Sequence, residues 1–179
     1  MISLQASDFE LFGLPAAFSL DRAQLDLQWK SLQREAHPDR FASEGAAAQR
    51  IAMQWSVRIN EAYNRLKDPL KRAAYLCELN GAAVNAENNT SMPPAFLMQQ
   101  MEWREALDDC KAVKVAHSKI EGLEKLLGEV DASHAASLKQ IASLIDTDQN
   151  FAAAVGQVRA LMFIEKFAQE VQHQLDASS

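Results

Sequence analysis

The chain is predicted to be all α. Six glycines and five prolines in 179 residues, with almost no alternating runs of β-branched residues, leave little material for strands. Apolar residues recur instead at spacings of three and four along most of the length, the period of a helix that buries one face. With 48% hydrophobic residues the chain can bury a real core, and its pattern fits two small domains better than one large one.

The elements follow in order. A short first helix, Asp8 to Phe12, ends at the breaker Gly13-Leu14-Pro15. Asp21 can cap a second helix in which Leu25, Trp29, Leu32 and Ala36 share one face. Pro38 disfavours helical geometry at His37 and removes a backbone donor, so that helix must stop there, and a loop runs to about Gly45. A third helix points Ile51, Trp55, Ile59, Ala62 and Leu66 to the core and lies antiparallel to the second. Asp68-Pro69 opens a fourth, which ends near Asn80-Gly81. Residues 82–93, AAVNAENNTSMP, read as a linker.

Three helices follow, at about 94–110, 112–146 and 148–176, the middle one with a possible break near Gly128 or Asp131. In it Val113, Ala116, Ile120, Leu123, Leu127 and Val130 form a heptad stripe, and three such stripes close an antiparallel bundle. There is no internal repeat.

Several function classes fall away at this level. No apolar run approaches the roughly 18 residues that span a bilayer, and MISLQASDFE lacks the basic start and apolar core of a signal peptide, so a cytoplasmic protein without a membrane partner is expected. Cys77 and Cys110 are too few for a disulfide framework and too far apart for a CxxC pair. The net charge is −6, with 10 basic and 10 acidic side chains in residues 1–81 and 8 and 14 in residues 82–179. Neither half is the basic body of a nucleic-acid binder.

The stretch QREAHPDRF, residues 33–41, places His37 beside Asp39. A histidine with a carboxylate neighbour invites an acid-base reading. The rest of a catalytic site is missing: there is no GxSxG elbow, no glycine-rich phosphate loop, and no His or Cys at metal-ligand spacing. His117, His134 and His173 sit singly on helical segments. Neither an enzyme nor a metal or cofactor is therefore expected, and the tripeptide alone could be a plain helix stop.

Its surroundings decide. About 20 residues later comes INEAYNRLKDPLKRAAY, residues 59–75, and the two motifs in this order resemble the J-domain signature over residues 8–81. Two positions depart from the usual pattern. Ala36 stands where many J-domains carry an aromatic, a volume that Trp29 is expected to supply, and Arg40 replaces a common Lys. The resemblance implies a loop of His37, Pro38 and Asp39 that docks on a DnaK-type chaperone, with Arg22, Lys30, Arg34 and Arg40 as a basic strip meeting an acidic surface. Without that loop these four would read as an ordinary solvated face.

The helix PAFLMQQMEWREALDDC is apolar on two sides. At about 100° per residue, Phe96, Gln100, Trp103, Leu107 and Cys110 fall on one arc, assigned to the core, while Leu97, Met98, Met101, Glu102 and Glu105 fall on the other. An exposed mixed patch or a face covered by another helix explains this equally well. In the last helix Phe151, Val155, Val158 and Met162 keep one stripe and Phe163 points away from it.

An N-terminal J-domain followed by an acidic helical bundle carrying AFLMQQMEWREALDD and VRALMFIEKF resembles the HscB family of co-chaperones of iron-sulfur cluster biogenesis, bacterial type, over nearly the whole chain. The resemblance implies a J-domain in residues 1–81, a linker in 82–93, and a three-helix bundle in 94–179. It implies two partners: HscA, a DnaK-type ATPase that the J-domain stimulates, and the scaffold IscU, held by Leu97, Met98, Met101, Glu102, Glu105 and Phe163. Met101 stands where Leu is familiar, a volume-conserving change. A monomer is expected. The competing binding-module reading is a general J-protein that delivers unfolded clients.

Overall fold

A computed structural model describes residues 4–85 and 91–178. The sequence expectations for residues 1–3 and for residues 86–90 of the linker lie outside the described residues. Among those described there are seven α-helices and no strand: α1 (Asp8–Leu11), α2 (Arg22–Glu35), α3 (Ala46–Lys67), α4 (Pro69–Leu79), α5 (Pro94–Ala112), α6 (Ala116–Ala142) and α7 (Phe151–Asp176). A 3-10 turn, Pro38–Glu44, joins α2 to α3, and a π turn, Ser143–Thr147, follows α6. The chain divides into two compact units between Leu76 and Cys77, inside α4.

In the first unit the antiparallel pair α2 and α3 is set in register by polar contacts. Arg22 Nη1 donates to the Lys67 carbonyl (3.3 Å), Tyr63 Oη to Asp26 Oδ1 (2.9 Å), Trp29 Nε1 to Asn60 Oδ1 (3.0 Å) and Gln33 Nε2 to the Ser56 carbonyl (3.3 Å). Beneath them Leu25, Ile59, Ala62 and Leu66 are buried with Phe9, Phe12 and Leu76. α1 begins with a capping box: the Ser7 hydroxyl accepts from the Glu10 N–H and the Glu10 carboxylate accepts from the Ser7 N–H, which holds that carboxyl below the usual range.

Asp8 is fully buried and is the electrostatic anchor of α1. Its Oδ2 accepts from Arg65 Nη1 at 3.0 Å, and its Oδ1 lies 2.7 Å from Arg58 Nη1 as an ion pair without hydrogen-bond geometry. A buried charge of this kind is tolerated because it is paired, and removing one partner of such a pair typically costs about 3 to 5 kcal/mol. Arg72 closes the 12–20 loop by donating to the carbonyls of Phe18 (2.7 Å) and Leu66 (2.6 Å). α4 starts where the sequence places it, with the Asp68 carboxylate capping the Lys71 N–H. It ends as a Schellman turn at Gly81 (φ +77°), where Ala82 N–H reaches the Cys77 carbonyl.

Ile51 departs from its expected core position: it is 55% exposed. The register explains why. α2 has 14 residues and α3 has 22, and with Gln33 opposite Ser56 the first two turns of α3 run past the end of α2. Ile51 keeps the helical period but has no facing helix to cover it.

The second unit is a three-helix bundle in which α6 runs antiparallel to α5 and α7. Phe96, Trp103 and Leu107 of α5 pack with Leu123, Leu126 and Val130 of α6 and with Ala160, Ile164, Phe167 and Val171 of α7. Gly122 lets the end of α5 come close, because a Cβ there would lie 2.9 Å from Cys110 Sγ. The residues flanking 86–90 are tied to α7, with Arg159 Nε donating to the Val84 carbonyl (3.0 Å) and Nη1 to the Ser91 carbonyl (3.2 Å). Cys77 is buried, and burial pushes its thiol up to about 11.

Three details of this half differ from the sequence reading. α6 begins at Ala116, so Val113 is only the C-cap of α5 and the exposed Ala116 does not extend the core stripe. α6 is unbroken at Gly128 and Asp131. In α7 the core steps three residues from Val158 to Leu161 rather than four to Met162, leaving Met162 exposed and Phe163 half-buried beside the core. Because Gly128 is exposed within a continuous helix and a Cβ there would meet nothing within 4 Å, Gly128→Ala should stabilise the protein by about 0.5 to 1 kcal/mol. Thermal or urea unfolding measures this, and a loss of stability would mean that the helix is interrupted there.

Candidate functional site

The first candidate site is the loop after α2. His37 is extended (φ −65°, ψ 126°) and caps the 3-10 turn: its Nδ1 accepts from the Asp39 N–H at 3.3 Å, and Pro38 occupies the first turn position. The side chains of His37 and Asp39 are 58% and 91% exposed, with Nδ1 and Oδ2 3.7 Å apart. Within the chain nothing else holds the Asp39 carboxylate among the described residues. Arg40 folds back, its backbone N–H on the His37 carbonyl and its Nη1 on the Arg34 carbonyl (3.3 Å), which satisfies a free carbonyl at the negative end of α2.

The structure brings His37, Asp39, Arg34 and Arg40 together, with Lys30 one turn back on α2. It does not bring Arg22 there. Arg22 lies twelve residues from Arg34, roughly 18 Å along the helix, and belongs to a separate network. Its Nε donates to Asp26 Oδ1 (2.7 Å), its Nη2 to Tyr63 Oη (3.1 Å), and its guanidinium lies 5.6 Å from the centre of the Tyr63 ring. These bonds raise the Arg22 pKa and, with Tyr63, hold the Asp26 carboxyl below its usual range.

Trp29 does not supply the aromatic volume missing at Ala36. It stacks on Tyr63 (4.6 Å between centroids), two turns away from Ala36. An apolar groove of about 480 Å³ stays open instead, lined by Leu32, Ala36, Phe41, Ile51 and Trp55.

The second candidate site lies on α5. Opposite the buried Phe96, Trp103 and Leu107, the side chains of Leu97, Met98 and Met101 are 45%, 67% and 74% exposed, and Glu102 and Glu105 are exposed beside them. Phe163 reaches this face from α7: with Gln100, Met101 and Arg104 it lines a depression of about 350 Å³. Its ring is held on three sides. It meets Phe96 edge-on (5.8 Å) and stacks on Phe167 (6.0 Å), while the Arg104 guanidinium sits 5.6 Å from its centre. Arg104 is fixed in turn by Glu170, Nη1 to Oε2 2.6 Å. The role of Arg104 is not legible in the sequence, because its partners Phe163, Phe167 and Glu170 are 59 to 66 residues away.

Comparison with known proteins identifies the architecture. The co-chaperone protein HscB homolog of Burkholderia multivorans is 51% identical over 176 residues, covering 98% of each chain. The chain belongs to the HscB co-chaperone family. The HscB homolog of Burkholderia cenocepacia is 49% identical over the same share of both chains. A family model described as the HSCB C-terminal oligomerisation domain matches residues 92–172. Among solved structures, chaperone HscB from Vibrio cholerae superposes with a TM-score of 0.81 at 37% identity, covering 97% of this chain and all of that one. Human co-chaperone protein HscB, 22% identical, shares the fold with a TM-score of 0.83 over 97% of this chain and 84% of its own. The architecture is thus a J-domain followed by the helical C-terminal domain of an HscB-family protein. No described helix is long and apolar enough to cross a membrane.

The Arg22 network makes a pH-dependent prediction. The folded pKa of Asp26 is lower than its unfolded value, so its ion pair with Arg22 stabilises the fold above the ordinary carboxylate range and is lost as pH falls through the folded value. Arg22→Ala should therefore lower the melting temperature at pH 7 and cost progressively less below about pH 4, the unperturbed Asp value. A cost unchanged between pH 7 and pH 2.5 would show that Arg22 acts through packing on Tyr63 alone.

Proposed function

We propose that this chain stimulates the ATPase of HscA, a DnaK-type chaperone, and delivers the iron-sulfur scaffold IscU to it in the cytoplasm. The observation that carries the reading is the exposed row Leu97, Met98 and Met101 on a helix whose other face buries Phe96, Trp103 and Leu107, with Phe163 forming a wall of the same surface. Apolar side chains held out in this way suit a folded partner, with Glu102 and Glu105 placed to pair with its cations. Methionines adapt to the shape of such a partner.

The J-domain supplies the second half of the proposal. Pro38 restricts the loop before any partner arrives, which reduces the entropy lost on docking. Asp39 keeps an exposed carboxylate to offer a cation of the chaperone, and Lys30, Arg34 and Arg40 form the basic strip that meets its acidic surface. Arg22 contributes to that strip only at its far end. The chain supplies no hydrolytic group in this scheme: it binds the hydrolysing conformation of the chaperone more tightly than the resting one, and hydrolysis accelerates by that difference. Both surfaces lie on one chain, so the monomer is taken as the working unit.

Two variants should fail in opposite assays. His37→Ala with Asp39→Ala should abolish stimulation of HscA while leaving scaffold binding and melting nearly unchanged, since exposed loop changes rarely exceed about 0.5 kcal/mol. Leu97→Ala with Met101→Ala and Phe163→Ala should keep stimulation without scaffold and lose IscU binding, because truncating each central apolar anchor typically costs about 1 to 4 kcal/mol. Phe163 packs on Phe96 and Phe167, so Leu97→Ala with Met101→Ala alone is the cleaner arm if the triple variant melts early. Normal IscU affinity in the folded double variant would favour a general J-protein with its client site elsewhere.

A further inference from the structure

Between the first half of α5 and the facing sides of α6 and α7 runs a groove of about 530 Å³, of which the client reading uses only Met98 and Glu102 at the α5 rim. Small side chains line much of it, Ser133 and Ser137 of α6 among them. Its lining carries three carboxamides, one from each helix: Gln99, Gln140 and Gln157. Among the described residues Gln140 and Gln157 make no side-chain hydrogen bond, and Gln99 only accepts one, from Ser133 Oγ at 3.4 Å. Ser137 is 7% exposed and its Oγ has no partner. A hydroxyl buried without a partner works against folding, and Ser137 is one of the residues that line the groove.

The chemistry of this lining is selective. A carboxamide displays one acceptor and two donor hydrogens, a match for the N–H and C=O of a peptide group, and three of them beside a hydroxyl can pair with a main chain whatever its side chains are. Among the described residues Glu102, at the α5 rim, is the one charged member of the lining, and it favours a basic side chain there. Met98 and Glu102 belong both to this rim and to the exposed face of α5, so a client seated on that face is continuous with the groove.

We infer that the groove seats an extended segment of the client, its main chain held by the amides of Gln99, Gln140 and Gln157 and by the Ser137 hydroxyl, with a basic side chain against Glu102. The inference rests on the client reading above, and its test separates the two. In a titration of the ¹⁵N-labelled full chain with unlabelled IscU, the side-chain amide signals of Gln140 and Gln157 should shift or broaden together with the backbone signals of α5. Ser137→Ala should weaken IscU binding about three- to tenfold, the loss expected for one hydrogen bond, without lowering the melting temperature. Unmoved Gln140 and Gln157 amides while α5 responds would overturn the groove site and leave the client face standing. If neither responds, the client reading fails and the groove fails with it. Shifts produced by raising the concentration of the chain alone would make a second copy the occupant and overturn the inference equally.

Discussion

A closed set of four aromatic contacts fixes what the second unit can offer a partner. Phe96 meets Trp103 and Phe163 edge-on, and Phe167 stacks against both Trp103 and Phe163, so two rings of α5 and two of α7 each touch a ring on their own helix and one on the other. Rings of this size bury much of the apolar area of a small core and add a geometric preference of their own. Once they are seated, the rotation of α5 is set. A helix that turns 100° per residue cannot then bury Leu97, Met98 and Met101. Arg104 completes the arrangement by covering Phe163 and Phe167 with its guanidinium while pairing with Glu170. The exposed face is thus a consequence of the buried one.

The J-domain obeys a comparable constraint through a different residue. Pro38 ends α2 and starts a 3-10 turn that His37 caps, and the side chains of His37 and Asp39 are left largely exposed. The stability of this unit lies elsewhere, in the Asp8 pairs with Arg58 and Arg65 and in the register contacts between α2 and α3. This separation lets a loop be shaped for a partner without cost to the core.

Much of this was legible in the sequence because local chemistry decided it. Pro38, the Asp68-Pro69 start and the Asn80-Gly81 end act within a few residues, and Phe96, Trp103 and Leu107 repeat at the helical period. The two faces of α5, and which of them packs into the core, were legible for the same reason, though whether the second was open or covered by another helix was not. What escaped depends on which element stands opposite. Ile51 has the period of a core residue but lies where α3 outruns α2, and Trp29 has the volume for Ala36 but packs on Tyr63. The choice of Leu161 over Met162 is a single step of three instead of four, which both residues satisfy in composition. Asp8 reads as an ordinary first-turn acid, since its arginine partners are 50 and 57 residues away.

The central claim is that one chain couples a folded client to a chaperone through two separate surfaces. Its most direct test is the steady-state ATPase rate of HscA titrated with this protein, with and without IscU. The account predicts stimulation by the protein alone that saturates, and a higher plateau or a lower half-saturating concentration when IscU is present. A rate that does not respond to the protein, or a response that IscU leaves unchanged, would contradict it.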